Sequence, residues 1–356
     1  MTDGDTYPKI IMQSFRESGA PVPICICSGV GGDTAQMMDA RFDKTVAIFK
    51  PDLVTVCEGT NDAFHNTSAE DYGKSIRSIV ARVKAIGAKV MLLTPSECEA
   101  RMGATDAEKD AFYANIEKHL NAYEAVIRQV AAENSCVMAE NRKLMTDALK
   151  AGKTLFVEDN VHPNYLGQSL MARSILDALG HRDMALPKNF DPKPVPGLVG
   201  KWTLRPSPLD GKGEPVRLTE ESVTKLTPDG DWISCTVPEK EPVAASPEIW
   251  LEQMRRVGAV MKTDKYIGHV QLGQGVAEVN SVGGGPAYIQ TGMGIATIWL
   301  NGVKAHDQMH IWTGGHAGKD RIPVTLVKGA NTIVIEFKDN FFLAVTPYMI
   351  WEDQLY

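Results

Sequence analysis

Along the chain the spacing of apolar residues changes once. Over roughly its first half, short apolar runs alternate with stretches in which apolar residues recur every three or four positions, as strands alternate with amphipathic helices. The runs Val22 to Cys27, Leu53 to Cys57, Lys89 to Leu93 and Cys136 to Ala139 are expected strands. Tyr72, Ile76, Ile79, Val80, Val83 and Ile86 share one helical face with Gly87 as a stop, and Phe112, Ile116, Tyr123, Ile127 and Val130 share another behind a cap at Thr105-Asp106. Leu166 to Leu179 reads as a last helix that ends at Gly180. Strand and helix in alternation predict a parallel sheet with helices on both faces.

Pro187, Pro192, Pro194 and Pro196 then interrupt any helix. Beyond them the period becomes two. Ile322, Val324 and Leu326 alternate with polar residues, Ile333, Ile335 and Phe337 repeat the pattern after Lys328-Gly329-Ala330-Asn331, and Asn301-Gly302 sits between apolar residues as a hairpin turn. The expected organisation is an α/β domain over 1–181, a Pro-rich linker over 182–197 and an all-β sandwich, jelly-roll-like, over 198–356.

Composition narrows the function classes. A length of 356 residues suits two cores rather than one, and 44% hydrophobic with 23% charged residues is an ordinary globular balance. A net charge of −7 without a Lys/Arg cluster among aromatics argues against nucleic acid as a partner. No apolar stretch approaches the roughly 20 residues of a membrane-spanning helix. The cysteines at 25, 27, 57, 98, 136 and 235 lack the paired short spacings of a zinc site, and several fall in expected strands as small hydrophobes, which leans towards a reducing, cytoplasmic setting.

Three segments carry candidate chemistry. Ser28-Gly29-Val30-Gly31-Gly32-Asp33-Thr34 joins an expected strand to an expected helix, where glycines expose backbone N–H groups at a helix N-terminus. Gly59-Thr60-Asn61-Asp62 follows a strand directly and puts an amide donor at the carboxyl edge of the sheet. Asp159-Asn160-Val161-His162-Pro163 spaces a carboxylate and an imidazole as the acid and base of a hydrolase would be. Asp-x-x-His alone is a common surface accident; the order of the three blocks is the informative feature.

In that order the blocks resemble the SGNH or GDSL hydrolases, over residues 1 to about 180. The resemblance implies a serine esterase on a three-layer α/β/α, flavodoxin-like sheet, with no metal or organic cofactor. It implies His162 as base, Asp159 as its partner, and the Gly32 N–H and Asn61 amide as oxyanion-hole donors. The family's nucleophile lies in a Gly-Asp-Ser block. Here the chain opens Met1-Thr2-Asp3-Gly4-Asp5-Thr6-Tyr7-Pro8, so the Ser is expected immediately ahead of Met1, and the sheet is expected to lack its first strand. As it stands the chain is then expected to be inactive. Ser28, entering a tight turn, and Thr6, with no strand before it, are rejected as substitutes.

The β half, with its Trp-Leu-Asn-Gly hairpin, loosely resembles galactose-binding-like and carbohydrate-module sandwiches. Acetylated carbohydrate is therefore the preferred substrate class. A lipolytic or thioester hydrolase and a glycan-binding protein with a degenerate hydrolase half are the alternatives. Trp250, Trp299 and Trp312 are candidates for sugar stacking, though an aromatic in an alternating strand is more often core. His306, His310 and His316 lack a convincing ligand set around them.

Overall fold

The computed structural model describes residues 6–23, 25, 28–190, 197–238, 243–244, 260–291, 294–307, 320–338 and 340–347. In chain order the α/β half contains α1 (Thr6–Ser18), α2 (Ala35–Thr45), β1 (Leu53–Val56), α3 (Thr60–Phe64), α4 (Ala69–Ala85), β2 (Lys89–Leu93), α5 (Asp106–Asn134), β3 (Val137–Ala139), α6 (Asn141–Lys150) and α7 (Tyr165–Ala178). The strands β1, β2 and β3 lie side by side and parallel, with Val56 opposite Leu92 and Leu93 opposite Ala139.

Why the sheet is buried on both faces can be read from β2. Val90 and Leu92 point to one side, where Phe42 of α2, Ile76, Ile79 and Val83 of α4, and Ile116, Tyr123 and Ile127 of α5 form a single cluster. Met91 and Leu93 point to the other, against Ile10 and Ile11 of α1 and Ala172, Ile175 and Leu176 of α7. A strand covered on both faces has no polar side, so its sequence is a continuous apolar run. The helices begin where the sequence marks them. Thr105 accepts from the Glu108 N–H while the Glu108 carboxylate returns to the Thr105 N–H, a reciprocal cap for α5.

Two expectations need correction. Ile86 sits past the end of α4 and is exposed rather than part of its buried face. Among the described residues 21–23 and 25, the expected strand from Val22 to Cys27 is not a strand, and Ile24, Ile26 and Cys27 lie outside the described residues. Apolar character alone does not make a strand. Pro23 has no N–H to give to a ladder, and β1 is paired only on its β2 side among the described residues.

The chain from 182 to 187 is held to the α/β half. The Arg173 guanidinium donates to the carbonyls of His181, Arg182 and Met184, and Met184 and Leu186 pack beside α7. Asn189–Phe190 (β4) pairs with Val243–Ala244 (β7). From Gly197 onward the chain bonds to the β half, the Val345 N–H donating to the Gly197 carbonyl at 2.8 Å.

That half holds β5 (Lys201–Pro206), α8 (Glu220–Thr224), β6 (Ile233–Thr236), α9 (Asp264–Ile267), β8 (Gly273–Ser281), β9 (Gly285–Thr291), β10 (Ile295–Leu300), β11 (Val303–Asp307), β12 (Asp320–Leu326), β13 (Gly329–Phe337) and β14 (Ala344–Thr346). One sheet has the order β11-β10-β13-β8-β5-β6 and a second β12-β9-β14, with antiparallel pairing throughout. Leu204, Ile298, Ile333, Ile335 and Phe337 from the first meet Ile289, Ile322 and Val345 from the second in one core. The Asn301-Gly302 turn joins β10 to β11, with φ of +52° and +84°, as a hairpin turn of this type requires. β12 and β13 are not a hairpin; the turn between them carries the chain from one sheet to the other.

Candidate active site

Each block of candidate residues has its own anchor. At the Gly-rich turn, Gly32 takes φ of +87°, a left-handed conformation that side chains disfavour. The next residue, Asp33, is buried, and its carboxylate pairs with Arg41 of α2 at 2.6 Å. Ser28 faces the same helix. Its hydroxyl donates to the Thr45 carbonyl at 2.7 Å and accepts from Arg41, so its role in the fold is to close the turn.

The Gly59-Thr60-Asn61-Asp62 block docks onto that turn through two consecutive side chains. Asn61 Nδ2 donates to the Asp33 carbonyl at 2.8 Å, and Asp62 Oδ2 accepts the Ala35 N–H at 3.0 Å, at the start of α2. The structure thereby brings Gly32 and Asn61 together. One N–H of the Asn61 amide is committed to the Asp33 carbonyl; the amide carries a second. Gly59 is required for a different reason. With φ of +133°, a Cβ there would stand 3.2 Å from both Cβ and Cγ of Pro95.

Asp159 and His162 form a bonded pair. His162 Nδ1 lies 2.5 Å from Asp159 Oδ2, while Asp159 Oδ1 accepts the backbone N–H groups of Val161 and His162 at 2.8 and 2.9 Å. Burial pushes the Asp159 carboxyl up, but the imidazole bond and the two backbone donors outweigh it and hold the group below the usual carboxylate range. The ionised carboxylate thus favours the tautomer with its proton on Nδ1.

The loop that presents this pair is closed at its base. Phe156 bridges Pro163, and the Val157 N–H donates to the His162 carbonyl at 3.0 Å. Asn160, at φ of +59°, turns its carbonyl outward to accept the Glu99 N–H at 2.9 Å. Asn164 caps α7 by accepting from the Gly167 N–H. Gly167 lets the helix come this close, because a Cβ there would lie 2.5 Å from the Leu155 carbonyl oxygen.

The two halves of the site meet through the segment after β2. Pro95 touches Gly59 on the Asn61 side, and Glu99 holds Asn160 on the Asp159/His162 side. Val161 also packs on the cluster that contains Ala63, Cys98 and Ala100.

Residues 2–170 match the model of the GDSL-like Lipase/Acylhydrolase family. This region is a GDSL-like acylhydrolase domain. An acetylxylan esterase of Geobacillus stearothermophilus is 25% identical over 166 residues, which span 43% of this chain and 70% of that protein. Two solved structures align at 22% identity. An α/β hydrolase enzyme from the metagenome of Lake Arreo, Spain, aligns at a TM-score of 0.40 over 51% of this chain and 82% of its own. The Geobacillus stearothermophilus acetylxylan esterase aligns at 0.39 over 51% and 81%.

Two acids in the acylhydrolase domain carry features that the motifs do not reveal. Asp62 is 1% exposed, and its Oδ1 has no hydrogen-bond partner among the described residues. Burial raises its carboxyl pKa against the Ala35 N–H. Glu58, one residue before Gly59, is pushed well above the usual range by burial and then by the Asp62 carboxylate. The adjacency of Glu58 to the Gly-x-Asn-Asp block was the available signal.

In the β half, Trp299 is 1% exposed and packs against Val223 and Val334, so it is core and cannot stack on a sugar. His306 stands on β11 opposite Ile298, where burial lowers its pKa. Trp250, Trp312, His310 and His316 lie outside the described residues.

Proposed function

We propose that the acylhydrolase domain cleaves an acyl ester, with acetylated carbohydrate as the substrate class, by the acyl-enzyme route of serine esterases. His162 takes the proton of the attacking hydroxyl, and Asp159 fixes the imidazole tautomer and steadies the imidazolium that forms. The Gly32 N–H and the second Asn61 N–H meet the oxyanion, where such donors are worth about 3 to 4 kcal/mol each. No residue of this sequence is assigned the attacking hydroxyl. No step calls for a cofactor.

The observation that carries the proposal is the hydrogen-bonded Asp159–His162 pair. Acetyl as the acyl group draws its support from the acetylxylan esterase relative. The test is hydrolysis of p-nitrophenyl acetate against longer acyl esters by the protein. His162→Ala should lower turnover on the order of a million-fold while the fold persists, as loss of one member of such a set does elsewhere. Turnover unchanged in that variant removes His162 from the mechanism. A preference for long acyl chains moves the substrate class to lipids or thioesters.

A further inference from the structure

The segment Thr94–Glu99 touches both halves of the candidate site, and a buried ion pair holds its middle. Arg142, 5% exposed at the start of α6, donates through Nε to Glu97 Oε1 at 2.9 Å, and the Thr146 hydroxyl donates to the same oxygen at 2.5 Å. The Arg142 and Glu97 side chains are 6% and 12% exposed. Neighbouring contacts fix the rest of the segment. The Arg142 N–H donates to the Thr94 hydroxyl at 2.8 Å, and Asn141 Nδ2 to the Ser96 hydroxyl at 3.1 Å. From this fixed stretch, Pro95 reaches Gly59 and the Glu99 N–H reaches the Asn160 carbonyl.

A buried ion pair is a poor source of stability. Removing two charges from water is costly, and apolar residues of similar volume often do as well or better. What a directional pair adds is a defined position. We propose that the Arg142–Glu97 pair is a positioning device that sets the placement of the Asp159–His162 loop relative to the Gly59–Asn61 block.

Neither residue is assigned contact with substrate. They act through a relay: Arg142 fixes Glu97, Glu97 fixes the Pro95–Glu99 backbone, and Glu99 holds the Asn160 carbonyl between the acid and the base. Arg142 Nη1 also faces Glu124 Oε2 at 3.8 Å, too long for a hydrogen bond, so the pair to Glu97 is its directional contact. The inference rests on the reading of Asp159 and His162 as the acid–base pair, but its test does not need turnover.

The test is carbon-13 NMR titration of the Asp159 carboxyl in the chain as it stands. In the parent, the midpoint should lie below the ordinary carboxylate range. Glu97→Gln keeps the size of the side chain and removes its charge. It should raise the Asp159 midpoint towards the ordinary range, because the three donors that depress it are held by the loop. Thr146→Val, which removes one donor to Glu97, should move the midpoint the same way by less.

A folded Glu97→Gln chain with the parental midpoint overturns the proposal and leaves the pair as a staple between α6 and the end of β2. Should Glu97→Gln fail to fold, Thr146→Val decides, and an unmoved midpoint there overturns it equally. Failure of the functional reading shows elsewhere, as unchanged ester turnover in His162→Ala, while the Asp159 titration still reports on the relay.

Discussion

The two halves of the protein bury carboxylates in opposite ways. In the β half, Arg205, Gln274, Glu336, Thr297 and Asp307 stand directly opposite one another across β5, β8, β13, β10 and β11, a polar row on the face away from the sandwich core. Glu336, at its centre, is fully buried and fully satisfied. It accepts from Arg217 Nε and Nη2 at 2.8 and 2.7 Å, from the Leu218 N–H at 2.7 Å and from the Thr297 hydroxyl at 3.1 Å. In the α/β half, Asp62 is as deeply buried with one oxygen unpartnered among the described residues, and the Glu58 carboxyl beside it has its pKa raised well above the usual range by burial and by Asp62. A saturated acid pins a structure; an under-satisfied one is a cost that the fold carries where a site is being shaped.

The largest expected effect comes from breaking the saturated side. Glu336→Ala leaves the Leu218 N–H and the buried Thr297 hydroxyl without their acceptor and takes the carboxylate from the half-exposed Arg217 guanidinium, at about 1 to 3 kcal/mol for each shielded donor left unpaired. Every tryptophan lies beyond residue 201, so tryptophan fluorescence reads the β half alone. The variant should unfold at markedly lower urea by fluorescence, while the helical far-ultraviolet signal of the α/β half keeps its midpoint. A fluorescence transition that does not move would mean the row is not what holds that face.

A smaller effect tests how closely the loop bearing Asp159 and His162 is fitted. Gly167→Ala adds one methyl group that must stand 2.5 Å from the Leu155 carbonyl oxygen and 2.8 Å from Pro163 Cβ. Alanine is the better helix former, so any loss measures the clash, expected at about 1 to 3 kcal/mol. The far-ultraviolet melt should fall and the Asp159 titration should broaden or shift. A variant more stable than the parent would show that the loop has room to move and that its placement is not set by α7.

What could be read from the sequence follows the range of each interaction. Asp159 and His162 are three residues apart, and a pair at that distance within one turn is set by local backbone geometry, so the motif predicts the contact. Asn61 and Asp33 meet across 28 positions; their blocks were visible, but their meeting depends on tertiary packing, with α2 against α4 and α3 against α5. Thr94 to Glu99 has no periodicity at all to mark it in the sequence, although it contacts both the Gly59 side and the Asn160 side. The expected strand at Val22 to Cys27 is not a strand at residues 22, 23 and 25, where Pro23 has no N–H for a ladder, and the core reading of Trp299 holds because α8 covers its face, which alternation alone does not show.

The smallest effect has the opposite sign, and it separates the two halves most clearly. Glu58→Gln replaces a carboxyl that burial and Asp62 hold well above its ordinary pKa, with the Gly59 N–H and Arg41 pulling the other way. For a carboxyl raised by folding, the stability it contributes is complete below the pKa of the unfolded chain and is lost as pH rises through the folded value. Near neutral pH, above the pKa of a carboxyl in the unfolded chain, the parent therefore bears a disadvantage that glutamine, which has no proton to lose, does not. Far-ultraviolet melts should place Glu58→Gln a few degrees above the parent at neutral pH, and the two should converge as the pH falls towards that of a free glutamate. The same change at the saturated position, Glu336→Gln, should destabilise at neutral pH, because an amide is a weaker acceptor for the Arg217 guanidinium. If both substitutions shift stability in the same direction, the contrast between a pinning acid and a strained one is wrong, and Glu58 is held by contacts as complete as those of Glu336.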